Sequence, residues 1–291
     1  MMAAPEYYVF TGERVPDHVT HVLIAKSLNF VRSGAFEYHP NIVEVICHDG
    51  VEKIEGGAFE GCYPLRRVIM PGVKEVEEWA FGACRALTYI ECGKLEIIGE
   101  YAFRDCKSLS SSIDLPFIRI VEQYAFDGCN KNLKNIKFGK DLESIGRGAF
   151  YRCPALECIA LPLKDGMIND DNTFQECDNL NHVDLVGGVH ETSAALLMGE
   201  WKNDMNEEIN SISRILPNTS AGTLFEAGGK AQAVRTWIRL VLNKIVRYKA
   251  EHRRYLNEAA ATLQPVLPND ILFKNVLPFL DLPSYTFDGE N

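Results

Sequence analysis

Between residues 19 and 186 the apolar positions return again and again in one frame. In the stretch LRRVIMPGVKEVEEWAFGAC, residues 65–84, they fall at Leu65, Val68 and Met70, then Val73 and Val76, then Ala80, Phe81 and Cys84. Residues 133–153 repeat the frame at Leu133, Ile136, Phe138, Leu142, Ile145, Ala149, Phe150 and Cys153. Residues 42–62 do so at Ile42, Val45, Cys47, Val51 and Ile54 before GAFEGC. The phenylalanines at 36, 59, 81, 103, 126, 150 and 174 are spaced by 23, 22, 22, 23, 24 and 24 residues. A period of this length marks a stack of structural repeats, each burying its apolar face against its neighbours.

Within each unit the period changes. Val68 and Met70 alternate as in a strand. Ala58 and Cys62 stand four apart, which predicts one helical turn for the AF-x-x-C segment. Each unit is therefore expected to be a short strand, a turn and a helical turn, with Phe as the wedge between coils. The recurrent cysteine is expected to point inward as a small hydrophobe. Cys47 and Cys92 fall on inward strand positions, and Cys158 alone falls on an outward one. In the first unit His39 stands where the cysteine should be.

The pattern L-x2-I-x-L-P … V-x2-I-x4-AF-x2-C resembles the BspA-type leucine-rich repeat over about residues 19–186. The resemblance implies an α/β repeat fold. That fold is a right-handed leucine-rich-repeat solenoid of about seven to eight units of 22–24 residues, with a parallel sheet on one face. It also implies the binding of other macromolecules, and a family in which cell-surface proteins are frequent.

If strand positions alternate, the residues between the inward ones line the outer side of the sheet in two columns. The first column is His21, Glu44, Arg67, Tyr89, Ser112, Asn135, Cys158 and His182. The second is Leu23, Ile46, Ile69, Glu91, Asp114, Lys137, Ala160 and Asp184. Leu23, Ile46 and Ile69 are expected to form a contiguous apolar stripe, flanked by His21, Glu44, Arg67, Tyr89 and Glu91, and these eight are the candidate partner-binding residues. An N-terminal arm or cap, residues 1–18 with YYVF among them, is the element that could cover the stripe.

After Val186 the frame stops. Residues 190–264 carry helical spacings, first at Leu197, Met198, Trp201, Met205, Ile209, Ile212 and Leu216. A second helix from about 229 to 264 places Val234, Ile238, Val241, Ile245, Tyr248, His252, Tyr255 and Ala259 at alternating steps of four and three, the spacing of a coiled-coil seam. The first of these helices is acidic (Glu200, Asp204, Glu207, Glu208) and the second basic (Arg235, Arg239, Lys244, Arg247). An all-α antiparallel hairpin is the expectation, with self-association or recruitment of a partner helix as the alternatives. The AGGK of residues 227–230 fails the phosphate-loop frame, since Leu224 stands at the first glycine position and Ala231 follows the lysine. Residues 265–291 read as a short amphipathic helix and acidic tail, whose LPNDIL resembles the opening of an F-box. With WKNDMNEEIN, YKAEH and LPSYTF, the whole chain also resembles intracellular leucine-rich-repeat proteins of diatoms.

Composition narrows the function. An apolar fraction of 46% and a charged fraction of 24% are those of a globular protein. A net charge of −10 repels phosphate backbones and anionic lipid, so neither nucleic acid nor membrane is expected as a partner. The opening MMAAPEYYVFTGERVPDHV has neither the basic nor the apolar region of a secretory signal. A cytoplasmic location with reduced thiols is therefore expected, the nucleus being the alternative. No cofactor fingerprint or catalytic motif occurs, and the cysteines come one per repeat instead of as clustered metal ligands. The expectation is a non-catalytic protein-interaction module, without cofactor or metal. The alternatives are a ubiquitin-ligase substrate receptor working through the tail, or a purely structural scaffold.

Overall fold

The computed structural model describes residues 6–186, 199–212, 216 and 229–263. Each coil contributes one strand from its alternating segment, and because every coil returns in the same direction the strands pair in parallel. Five form a first sheet in chain order: β1 (Tyr8–Phe10), β2 (His21–Ile24), β4 (Glu44–Ile46), β6 (Arg67–Ile69) and β8 (Tyr89–Glu91). Four form a second: β10 (Ser112–Leu115), β12 (Asn135–Phe138), β14 (Cys158–Leu161) and β15 (His182–Leu185). A further ladder of two-residue strands comes from the V-x2-I positions. It comprises β3 (Phe30–Val31), β5 (Lys53–Ile54), β7 (Glu75–Val76), β9 (Ile97–Ile98), β11 (Ile120–Val121) and β13 (Ser144–Ile145).

The main sheet divides between β8 and β10, where the repeat carries one extra residue. Ile90 follows Leu87 by three positions, but Ile113 follows Leu109 by four, across Ser110, Ser111 and Ser112. One added residue takes the strand out of step with its neighbour. Ile90 and Ile113, inward residues on either side of the division, are the ones left partly open to solvent, whereas Val45, Val68, Ile136 and Ile159 are buried.

The AF-x-x-C segment is a turn and not the expected turn of helix. The residue before Ala and the residue before Cys both take left-handed backbone angles. Trp79, Tyr101 and Tyr124 have φ near +55°, as do Ala83, Asp105 and Arg152, while Gly57, Gly61, Gly128 and Gly148 fill the same slots elsewhere. A non-glycine residue pays roughly 1–2 kcal/mol for that conformation, and the bonds between coils offset it. Phe36 N–H donates to Ala58 O, Phe59 to Ala80, Phe81 to Ala102, Phe103 to Ala125 and Phe126 to Ala149, each at 2.8 Å. The next residues but one do the same: Ala83 N–H reaches Arg104 O and Asp105 N–H reaches Asp127 O, both at 2.7 Å.

The recurrent cysteine has a use beyond its size. Its thiol donates to the phenylalanine carbonyl of the preceding coil. The pairs are Cys62 to Phe36 at 2.8 Å, Cys84 to Phe59 and Cys106 to Phe81 at 3.1 Å, Cys129 to Phe103 at 3.2 Å, Cys153 to Phe126 at 3.1 Å and Cys177 to Phe150 at 2.9 Å. The carbonyls of Phe59, Phe81, Phe103 and Phe126 also accept the backbone N–H of the cysteine in their own coil, so both lone pairs are used. Burial pushes the Cys62 and Cys177 thiols up to about 12 and those of Cys84, Cys106, Cys129 and Cys153 well above the ordinary value. They stay protonated, as donors must. Beside them the rings of Phe36, Phe59, Phe81, Phe103, Phe126, Phe150 and Phe174 stack in one column, with centroids 4.7–5.8 Å apart.

Both ends of this ladder are closed by substitutes. At the first coil His39 replaces the cysteine, and its Nε2 meets the carbonyl of Pro16 at 3.2 Å, while Phe10 of β1 packs on Phe36 at 4.6 Å. After the last coil, whose corner is a 3-10 turn (Asp171–Phe174), the buried Lys230 takes over. Its ammonium donates to the carbonyls of Cys177 at 2.6 Å, Leu180 at 2.8 Å and Asp178 at 2.9 Å, all three protons being used. The lysine of the AGGK stretch is thus a structural cap.

The described helices are α1 (Gly199–Asn210) and α2 (Gly229–Leu263). Residues 1–186 and 212–236 form one compact unit; residues 187–211 and 237–291 form a second, so the first turns of α2 belong to the solenoid unit. Within the second unit the contacts run in opposite directions along the two helices. Trp237 Nε1 donates to Glu208 O at 3.1 Å, Lys244 Nζ meets Glu208 and Asp204 at 2.9 Å, and the Tyr248 hydroxyl bonds Asp204. The seam is buried at Val241, Ile245, Tyr248 and His252 and opens at Tyr255. The F-box-like segment and the rest of the tail lie outside the described residues, as does most of the expected start of the first helix.

Two stability predictions follow from the corner. Cys106→Ala removes the donor and the sulfur volume and should cost about 1–2 kcal/mol. Cys106→Ser should recover part of that, because its hydroxyl reaches the same Phe81 carbonyl. Urea midpoints decide it, and a serine variant no better than the alanine one rejects the thiol as donor. His39 has its pKa lowered chiefly by burial, with its hydrogen bond to the Pro16 carbonyl and then the Asp17 charge opposing. The unfolded chain therefore binds the proton more readily, and His39's contribution is complete above the ordinary imidazole value near 6.5 and is lost as pH falls below it. The melting temperature of the wild type should fall faster than that of His39→Gln between pH 7 and pH 5.

Candidate functional site: the outward sheet faces

The register places the expected columns side by side. His21, Glu44, Arg67 and Tyr89 are directly paired across β2, β4, β6 and β8, and Leu23, Ile46, Ile69 and Glu91 form the adjacent column. Strand β1 extends this face at the open edge of β2 and does not lie over it. Val9 pairs with Leu23, lengthening the apolar stripe, and is 52% exposed. Leu23, Ile46 and Ile69 are each partly exposed.

The first column is linked from end to end. The Tyr7 ring meets His21 edge-on at 5.4 Å, and its hydroxyl bonds the carboxylate of Glu44. That bond to an anion raises the Tyr7 pKa, because losing the phenolic proton would set two negative charges together. Glu44, itself buried, pairs with Arg67 Nε at 3.3 Å. The Arg67 guanidinium covers the Tyr89 ring at 5.2 Å, and the Tyr89 hydroxyl donates to Glu91 at 3.3 Å. A half-buried apolar stripe thus lies beside a row of side chains whose polar atoms hold one another in place.

On the second sheet, Cys158 of β14 pairs directly with His182 of β15, and Ala160 with Asp184. Cys158 Sγ lies 3.5 Å from Asp184 Oδ2, and His182 Nε2 lies 2.8 Å from Asp184 Oδ1. Burial first and the Asp184 charge second push the Cys158 thiol up to about 12. A thiol nucleophile needs the opposite: a base at the sulfur and a lowered pKa. Here the carboxylate stands between sulfur and imidazole, so the three do not make a nucleophile and its base.

A third cluster has no counterpart in the strand columns. At the corners, Trp79 stacks on Tyr101 at 4.6 Å and Tyr101 on Tyr124 at 5.2 Å. Arg104 lies over both Trp79 and Tyr101, at 5.3 and 5.2 Å. The buried Asp127 is gripped by Arg152 through two bonds of 2.9 and 2.7 Å and approached by Arg104 at 3.2 Å. The aromatic residue directly before AF in three successive units was the available signal. The arginines follow one and two residues after AF, at positions where other units carry Tyr151 or Gly61.

The sequence profile of the BspA type leucine-rich repeat region matches the chain in six copies, over residues 29–117 and 96–203. That is more than half of its 291 residues. The chain belongs to the BspA-type leucine-rich-repeat family. Among solved structures it is similar to a leucine-rich repeat protein from Bacteroides ovatus, with 28% identity, a TM-score of 0.49, and coverage of 58% of this chain and 43% of that one. It is also similar to the T. pallidum leucine-rich repeat protein, with 24% identity, a TM-score of 0.39, and coverage of 62% of this chain and 69% of that one. This BspA-type chain therefore spans less than half the length of the Bacteroides ovatus protein. No curated protein matches it. The BspA-type repeat builds interaction or structural modules and is typically non-enzymatic. Among the described residues no helix is long and apolar enough to cross a membrane.

All nine cysteines are free, and only Cys158 is not buried. With Ellman's reagent at pH 8 the native protein should therefore release colour from one thiol, slowly, and from all nine in urea. A fast-reacting native thiol, or several of them, would contradict this burial.

Proposed function

We propose that this protein is a non-catalytic adaptor that docks a protein partner on the outward face of its first sheet, through Leu23, Ile46 and Ile69 with His21, Glu44, Arg67, Tyr89 and Glu91. The observation that carries this reading is the unbroken apolar column Val9–Leu23–Ile46–Ile69, four residues in direct register on neighbouring strands. Scattered surface hydrophobes need no explanation, but an aligned set on a rigid sheet offers a partner continuous apolar area. Beside it the Tyr7–Glu44–Arg67–Tyr89 row is already ordered, so docking against it costs little side-chain entropy. The partner that suits this face is a protein surface with an apolar ridge and a polar border. In the second unit the helix seam is buried at Val241, Ile245 and Tyr248 in the single chain, which favours pairing within the hairpin over self-association.

The test is a pair of capture experiments from source lysate, one with the wild-type chain and one with Leu23→Ser/Ile46→Ser/Ile69→Ser. Circular dichroism and a urea midpoint first establish that the variant is folded. A protein retained by the wild type should fall by at least about ten-fold with the variant, since three contacts of about 1 kcal/mol or more are removed. Equal retention by both would reject this face as the docking surface.

A further inference from the structure

The geometry points to a divalent transition-metal site of zinc type on the second sheet, held by Cys158, His182 and Asp184, with its fourth position open to water. The ligand atoms of these three side chains, one sulfur, one nitrogen and one carboxylate oxygen, all lie within 4.8 Å of one another. A tetrahedral zinc ion, with bonds of about 2.3 Å to sulfur and about 2.0 Å to nitrogen and oxygen, needs ligand atoms roughly 3.3–3.5 Å apart. The carboxylate meets the sulfur through Oδ2 at 3.5 Å and the imidazole through Oδ1 at 2.8 Å, so side-chain rotation has to bring one oxygen, the sulfur and the nitrogen from within 4.8 Å of one another to that spacing. His182 and Asp184 are two apart on one strand and so share a face, while the β14–β15 register brings Cys158 directly beside His182.

Two further observations favour a ligand set over an accident of neighbours. The other eight cysteines are buried, so Cys158 departs from the use the chain makes of this residue everywhere else. The residue paired with Asp184 is Ala160, so no large side chain faces the carboxylate from the neighbouring strand. The spacing in sequence, 158 against 182 and 184, hides the cluster from any search for adjacent ligands, which is why the sequence raised no expectation of a metal.

The charge and proton balance closes. Before binding, burial and the neighbouring Asp184 charge keep the thiol protonated. On binding, the cysteine gives its proton to solvent and coordinates as thiolate, and the imidazole coordinates through Nε2 with its ring proton on Nδ1. One thiolate and one carboxylate then neutralise a divalent cation, and one proton is released per ion bound. A sulfur–nitrogen–oxygen set selects zinc or cobalt over calcium and magnesium, which require oxygen cages. Three protein ligands leave the coordination position that catalytic zinc sites fill with water. The site lies on the second sheet and stands or falls independently of docking on the first.

The experiment is a cobalt(II) titration of the full chain in a non-thiol reductant, followed by absorbance. The expected result is a thiolate-to-cobalt charge-transfer band and tetrahedral d–d bands that saturate at one equivalent, with uptake of zinc bleaching them. Proton release, read with a pH indicator, should approach one per cobalt, and bound zinc should protect Cys158 from alkylation. Cys158→Ser should abolish the charge-transfer band, and His182→Gln and Asp184→Asn should each weaken binding by about ten-fold or more. All three positions are on the solvent side of the sheet, and each variant should keep the wild-type circular dichroism. Absence of the band at micromolar to submillimolar cobalt, or its survival in Cys158→Ser, overturns the proposal.

Discussion

The structure depends on one carbonyl per coil. The oxygens of Phe59, Phe81, Phe103 and Phe126 turn inward at the corner and accept from two sides: the backbone N–H of the cysteine in their own coil and the thiol of the cysteine in the next. A buried carbonyl with one lone pair unused costs free energy comparable to a lost hydrogen bond. The side chain that supplies the second donor must be short, apolar enough to be buried and still able to give a proton. Cysteine meets all three demands. Leucine has no donor, and a serine hydroxyl is costlier to bury. This is why the chain repeats the AF-x-x-C segment, and why the thiols must stay reduced and protonated for the stack to hold.

A ladder of that kind has two unfinished ends, and each is closed by a longer side chain doing the same task. His39 reaches back to Pro16, for which a thiol would be too short, and Lys230 gives three protons to three carbonyls after the last coil. Burying an ammonium is expensive, and desolvation lowers the Lys230 pKa. The charge is tolerated because every proton it carries is used. The first turns of the long helix therefore belong to the same unit as the repeats, held to the last coil by these three bonds.

The columns of the sheet were legible in the sequence because two periods fixed them. The repeat length sets which strands are neighbours, and the alternation sets which side chains face out. His21, Glu44, Arg67 and Tyr89 fell into line for that reason, and so did Asn135, Cys158 and His182. What stayed hidden has equally physical causes. Ala58 and Cys62 have helical spacing, but the corner is a turn, because Trp79, Tyr101 and Tyr124 accept left-handed angles that composition never signals for aromatic residues. The YYVF stretch joins the sheet as an edge strand, a choice between pairing and covering that apolar content alone leaves open. The division of the sheet needed one serine counted in a run of three. Lys230 was set aside with the phosphate-loop pattern it failed to match, since nothing local says that a lysine will find carbonyls some fifty residues earlier.

Because the backbone and inward side chains build the corners and the core, the outward positions are free to vary from coil to coil. Each coil can then present a different pair of residues at no cost to the stack, and the chain uses that freedom unevenly. The first sheet gathers Val9, Leu23, Ile46 and Ile69 beside an ordered polar row, which is chemistry suited to another protein surface. The second gathers Cys158, His182 and Asp184, where the only cysteine turned outward meets an imidazole and a carboxylate. The extra residue at Ser110–Ser112 separates these two faces by interrupting strand pairing between β8 and β10, so neither must keep register with the other. A defect in the repeat thus becomes the boundary between two surfaces that can serve different ligands on one stack.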